Sequence, residues 1–147
     1  MPPGDCFGRD ELVAVSNADG FVTTRTVRFQ DVDAAGIVFH PRILEYFHDA
    51  YVEFLEAGGI RLQDVLATGE WASPVKRIEG HFLRPLRFGD QIEVAIVKAT
   101  LRGSELCVGY RLTARHGERQ PLAVGSSLHV FVRPSDLGRV APPAAVA

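Results

Sequence analysis

One long amphipathic helix is followed by four consecutive strand-forming segments, with no second long helix to balance them. The helix runs from Pro41 to about Ala57. Ile43, Leu44, Phe47, Tyr51, Phe54 and Leu55 recur at helical spacing and form one apolar face. Proline suits the first turn of a helix, where its missing N–H costs nothing, and Gly58-Gly59 ends the run. "IRLQDVLATGE" reads as one or two further helical turns closed by Gly69. A strand, "FVTTRTVRF", precedes the helix, and "ASPVKRIEGHFLRP", "QIEVAIVKATL", "LCVGYRLTAR" and "PLAVGSSLHVFVRP" follow it. The turns "RFGD", "RGSE" and "HGERQ" are short, so the later strands are antiparallel neighbours. Strands of roughly 10–13 residues reach about 35–40 Å, whereas a helix of about 17 residues spans ~25 Å. One such helix does not cover both faces of the sheet. The sheet must curl round the helix, pair with another subunit, or both, and a homodimer or homotetramer is the simplest outcome.

A chain of 147 residues makes one domain with a sizeable core. Residues 1–20 read as a flexible N-terminal arm, 21–134 as the folded domain, and 135–147 as a disordered Ala/Pro tail. A net charge of -2 argues against a nucleic-acid partner, which would call for a basic excess. No apolar stretch approaches the ~18–20 residues that cross a bilayer, so no membrane partner is expected. "MPPGDCFGRD" has no basic segment followed by an apolar run, so it is not a secretory signal. Cys6 and Cys107 fit no metal or redox spacing. They read as two separate thiols, which implies a reducing compartment and a cytoplasmic location.

The stretch "VRFQDVDAAGIVFHP" sets Asp31 and Asp33 among apolar residues just before the helix. Acids that only solvate a loop need no such neighbours. A carboxylate beside Ile37, Val38 and Phe39 would be poorly solvated and so more reactive. The helix start brings free N–H groups and the positive end of the helix dipole. Asp33 as a plain turn acid is the structural alternative. Asp31 reads as structural, paired with a basic residue or a loop N–H. No His, Cys or Asp group has metal spacing, and no metal or other cofactor is expected. His81, His116 and His129 read as strand or turn residues. There is no serine-centred elbow and no phosphate loop.

"FQDVDAAGIVFHP" resembles the Asp-x-Asp-x-x-Gly-x-Val-aromatic signature of hotdog-fold thioesterases of the 4-hydroxybenzoyl-CoA thioesterase type. "HDAY" and "RFGD" are similar to the branch acting on aryl-CoA esters, including 1,4-dihydroxy-2-naphthoyl-CoA. The resemblance spans roughly Phe21 to Pro134 and implies an α+β hotdog fold, a curved antiparallel sheet wrapped around one long helix. The implied activity is hydrolysis of an acyl-CoA, with a lean to aryl-CoA, to free acid and CoA. It makes Asp33 the catalytic acid, as nucleophile or as general base, and the His40 backbone N–H the oxyanion donor. Gly36 would let the loop approach the substrate closely. The His40 ring could instead shuttle a proton, and His48 could touch the acyl group or be a satisfied core-edge residue. CoA phosphates call for cations. Arg84, Arg87, Arg102 and Arg133 lie at strand ends, and Arg102 with Ser104 in "RGSE" is the favoured contact. The alternatives are a short- or medium-chain aliphatic acyl-CoA thioesterase, a non-catalytic acyl-CoA binding module, and a hotdog dehydratase.

Overall fold

The computed structural model describes residues 6–17, 20–117 and 120–142. Strand β1 (Phe21–Thr26) leads through a 3-10 turn (Phe29–Asp31) and a tight loop into helix α2 (His40–Ala57), after an N-terminal helix α1 (Arg9–Ala14). A short helix α3 (Leu62–Thr68) follows, and then β2 (Val75–Phe82), β3 (Gln91–Arg102), β4 (Glu105–Ala114) and β5 (Pro121–Val130). The five strands form one antiparallel sheet in the order β1-β3-β4-β5-β2. This is the expected hotdog arrangement, with α2 lying along one face of the curved sheet.

Close contact between α2 and the sheet comes from ring stacking and from a glycine. The Phe47 ring lies flat on that of Tyr110 in β4, centroids 4.9 Å apart. A Cβ on Gly125 of β5 would collide with the Phe47 ring and with the Glu79 carbonyl, so only glycine lets the helix and sheet meet here. Ile43, Phe47, Ala50, Tyr51 and Leu55 of α2 join Ile92, Val94, Val108, Tyr110 and Leu112 in one core.

Three sequence expectations change. The N-terminal segment, over its described part, is not a loose arm. Helix α1 packs on the outer face of the sheet, opposite α2, with Leu12 only 1% exposed. A Cβ on Gly109 would come within 2.7 Å of Leu12, so a second glycine admits this second helix. Burial of β4 is therefore continuous from Leu106 to Thr113 instead of alternating, because both of its faces are covered. The sequence reading missed α1 because six residues with one buried apolar side chain carry almost no periodic signal. Asn17 anchors the end of this segment: its amide donates to Glu93 and Thr113 at 2.9 Å each, and its carbonyl accepts from Arg111. The second change is that Cys6 and Cys107 are joined in a disulfide, Cα atoms 5.4 Å apart, instead of being separate thiols. Sequence separation hid the pair; the docking of the N-terminal segment beside β4 creates it. The third concerns the C-terminal tail. The tail turns back on the segment just after β5, where Val140 N–H donates to the Phe131 carbonyl at 2.9 Å and Val132 bridges Arg139. Residues 1–5 of the expected arm and 143–147 of the expected tail lie outside the described residues. Among the described residues, no helix is long and apolar enough to cross a membrane.

Candidate active site

The loop from Asp31 to Phe39 is a small hairpin. Val32 bridges Val38, the Asp33 N–H donates to the Ile37 carbonyl at 2.9 Å, and the Phe39 N–H donates to the Asp31 carbonyl at 3.0 Å. Gly36 sits at its tip with φ of +78°, a left-handed conformation that costs glycine nothing. A Cβ there would meet nothing within 4 Å in this chain. The turn itself, and not a close approach within the protomer, therefore accounts for this glycine.

Asp33 lies in that hairpin. Its Oδ1 accepts the Ala35 N–H at 2.9 Å and the Ile37 N–H at 3.4 Å, which fixes the carboxylate against its own loop. Oδ2 has no hydrogen-bond partner among the described residues. The side chain is exposed, so the expected apolar enclosure is absent from the single chain. Val38, one of the three apolar neighbours, points into the core at 5% exposure and does not screen the carboxylate.

Backbone accounting singles out one donor at the helix start. The N–H of Phe39 is taken by the Asp31 carbonyl, Pro41 has none, and the N–H of Arg42 bonds the Phe39 carbonyl at 2.8 Å. His40 is the first residue of α2 and its N–H has no acceptor among the described residues. It follows directly on the hairpin that carries Asp33. The His40 ring is exposed and leans on Phe39 and Phe82, at centroid distances of 5.1 and 5.7 Å. It forms one wall of a hollow of about 200 Å³ with Ile37, Ile43, Phe82, Arg84 and Pro85.

The first acid of the motif has a different task. Asp31 is 1% exposed; its Oδ2 accepts the Tyr46 hydroxyl at 2.7 Å, and Arg28 bonds both oxygens at 3.1 to 3.3 Å. Burial alone would push the Asp31 carboxyl up, but the Tyr46 hydroxyl and Arg28 outweigh it and hold the group below the usual carboxylate range. Burial and the Asp31 charge together push the Tyr46 hydroxyl up. The cluster ties the 3-10 turn to the second turn of α2 and so fixes the hairpin between them. Sequence reading passed over Tyr46, although its spacing of three from Ile43 places it on the buried face of the helix.

His48 lies two turns along α2, about 12 Å from His40 along the axis. It is exposed and lines a second hollow, of about 310 Å³, with Pro41, Leu44, Glu45 and Asp49. Asp33 and Gly36 thus share one hairpin that runs directly into α2, the helix that carries both His40 and His48. Arg102 and Ser104 are not part of this group. β1 runs antiparallel to β3 with Thr26 opposite Gln91, which puts the Asp33 hairpin beside the start of β3 and the Arg102 turn at its far end. Eleven steps at ~3.3 Å separate them by about 35 Å within one chain. Arg102 instead donates to Cys107 Sγ at 3.6 Å.

The arrangement offers a carboxylate with one open oxygen, and an unspent N–H at a helix N-terminus for an oxygen that gains negative charge. The thioesterase-like superfamily matches residues 27–147. Among curated relatives, the 1,4-dihydroxy-2-naphthoyl-CoA hydrolase of Rippkaea orientalis is 33% identical over 76% of this chain and 80% of its own length. That of Acaryochloris marina is 32% identical over 76% and 81%. The crystal structure of a 1,4-dihydroxy-2-naphthoyl-CoA thioesterase from Synechocystis superposes with a TM-score of 0.79 at 25% identity, covering 85% of this chain and 90% of that one. The chain belongs to the thioesterase-like superfamily.

Proposed function

We propose that this protein is an acyl-CoA thioesterase that hydrolyses an aryl-CoA to the free acid and CoA. The observation that carries the reading is that one hairpin joins a carboxylate with an open oxygen, Asp33, to an unspent N–H at the start of α2, His40, in a chain of this superfamily. Attack on the thioester carbon pushes charge onto the carbonyl oxygen, and the His40 N–H would bond it. The attacking group is either the open oxygen of Asp33, giving an anhydride that water then opens, or a water that Asp33 deprotonates. In both routes the C–S bond breaks and the departing thiolate takes a proton to become the CoA thiol. The names of the relatives favour an aryl substrate over an aliphatic one.

The active form in this reading is a homodimer or homotetramer. Asp33 is open to solvent in one chain, and a second copy would give it the apolar enclosure that the sequence suggests. Strand β2 supports the same reading: it is an edge paired only to β5, and it exposes Val75, Ile78 and Phe82. Light scattering at micromolar protein tests this, and an active monomer refutes it. The expectation of a cytoplasmic location rested on two separate thiols, and the Cys6–Cys107 bridge, which a reducing compartment would open, removes that support.

The deciding experiment measures free thiol release from a panel of aryl- and aliphatic-CoA thioesters. Turnover of aryl-CoA well above that of aliphatic esters supports the reading. A preference for aliphatic esters moves the protein to the aliphatic alternative, and absence of release from every thioester in the panel rejects it as a thioesterase.

A further inference from the structure

The chain has two cysteines, and they form one bridge on the outer face of the sheet. Their surroundings are unequal. Cys107 lies in β4 at 0% exposure, whereas Cys6, at the start of the described N-terminal segment, is partly exposed. Arg102, at the end of β3, donates from Nη1 to Cys107 Sγ at 3.6 Å. A cation beside a cysteine sulfur favours its thiolate, and a sulfur that is stable as a thiolate leaves readily in thiol–disulfide exchange. Access favours attack at Cys6, and charge favours departure of Cys107, so both effects select the same direction of exchange.

The bridge fastens one end of a segment whose other end is fixed by Asn17, through Glu93, Thr113 and Arg111. Little holds the stretch between them. Leu12 is its one buried side chain. Leu12 and Phe7 rest on Gly109, where a Cβ would come within 2.7 and 3.0 Å of them. Lys98 adds an ion pair to Glu11 at 2.6 Å and stands 5.9 Å from the Phe7 ring centroid, but both members of the ion pair are open to solvent, where such a pair contributes little. A helix of six residues has no stability of its own and depends on this docking. The covalent link is therefore the main restraint on the N-terminal side of α1, with Asn17 as the hinge.

We propose that Cys6–Cys107 is a thiol–disulfide exchange site, a latch that a dithiol reductant opens at Cys6 to release α1 from the outer face of the sheet. One thiolate of the dithiol attacks Cys6 Sγ. The S–S bond breaks, its electron pair leaves on Cys107 Sγ beside Arg102, and Cys6 is held in a mixed disulfide. The second thiol of the reductant, on losing its proton, displaces Cys6, and the two cysteine thiolates each take a proton. The bridge is reduced by two electrons to two thiols, and the dithiol is oxidised to its disulfide. The latch is independent of thioester hydrolysis: it acts on the face of the sheet opposite α2.

The test uses the full chain oxidised with glutathione disulfide, in which thiol titration under denaturing conditions should find no free cysteine. Brief exposure to reduced glutathione, an acid quench and peptide mass spectrometry should place the glutathione adduct on Cys6, with Cys107 as the free thiol. Arg102→Gln should slow reduction by dithiothreitol about threefold or more, because exchange slows as the leaving thiol's pKa rises, and Arg102→Lys should restore most of the rate. In the reduced protein, amides of α1 should exchange with deuterium about tenfold or more faster than in the oxidised protein, with those of β4 and β5 little changed. Cys6→Ser should show the same fast exchange with no reductant present. Two free thiols after oxidation, an adduct on Cys107, or an unchanged rate in Arg102→Gln overturns the exchange site. Equal protection of α1 in the oxidised protein, the reduced protein and Cys6→Ser overturns the latch.

Discussion

Acid should destabilise this fold through His129 well before the carboxylates titrate. His129 lies in β5 with 0% exposure, its ring stacked on that of Tyr51 at 3.9 Å. Its Nε2 is 2.7 Å from Ser127 Oγ, which in turn is 2.6 Å from the Tyr110 hydroxyl; its Nδ1 is 3.4 Å from the Ser73 carbonyl. A neutral ring satisfies this chain in one direction: Tyr110 donates to Ser127, Ser127 donates to Nε2, and Nδ1–H points at the Ser73 carbonyl. A second proton on the ring would face the Ser127 hydroxyl donor and break that order. Burial, aided by the charge of His48, pushes the His129 imidazole down to about 4, against a partial pull upward from the Ser73 carbonyl. The unfolded chain therefore binds a proton near pH 6.5 that the folded chain refuses until about pH 4, and stability falls as pH falls through that window. At about 1.36 kcal/mol per pH unit, the full window amounts to about 3 kcal/mol, a large share of a typical domain's stability. Urea unfolding at fixed protein concentration, followed by the single tryptophan, Trp71, should show this loss between pH 6.5 and 5. His129→Gln keeps an acceptor for Ser127 but has no proton to gain; it should start less stable and lose little further over the same range. A wild-type stability that is flat from pH 7 to 5, or a Gln variant with an undiminished slope, would refute the reasoning.

Asp33→Asn should lower turnover by about 10²-fold or more with little change in KM, since a positioned acid or base typically contributes ~10²–10⁴; turnover near wild type would remove Asp33 from the chemistry. Asp31→Asn should instead cost about 1–3 kcal/mol of stability by urea unfolding, because Tyr46 and Arg28 lose a buried charged acceptor. His48→Ala should reduce the preference for a hydroxylated aryl-CoA over its deoxy analogue more than it reduces aliphatic turnover; equal losses on all three would make His48 a structural residue. Reduction of the Cys6–Cys107 bridge should speed hydrogen exchange in α1 first, because the bridge ties that short helix to β4, and unchanged exchange there would show that Leu12 and Asn17 hold it unaided.

The architecture was legible because its signals are local and periodic. The α2 face repeats at helical spacing, the strands end at short Gly-containing turns, and the ends of α2 are marked by Pro41 and Gly58. Asp33, Gly36 and His40 could be singled out as candidates for a similar reason: they lie within eight consecutive residues, on one loop and one helix start. What depends on distant parts of the chain was not. Only docking of the N-terminal segment shows that α1 covers the outer face and that Cys6 meets Cys107, 101 positions away. Only the antiparallel register of β1 on β3 shows that the Arg102 turn stands far from Asp33 while Arg87 bridges Ile37 of its hairpin. Strand order and register are set by burial of whole faces at once, a sum over many residues that no single motif carries.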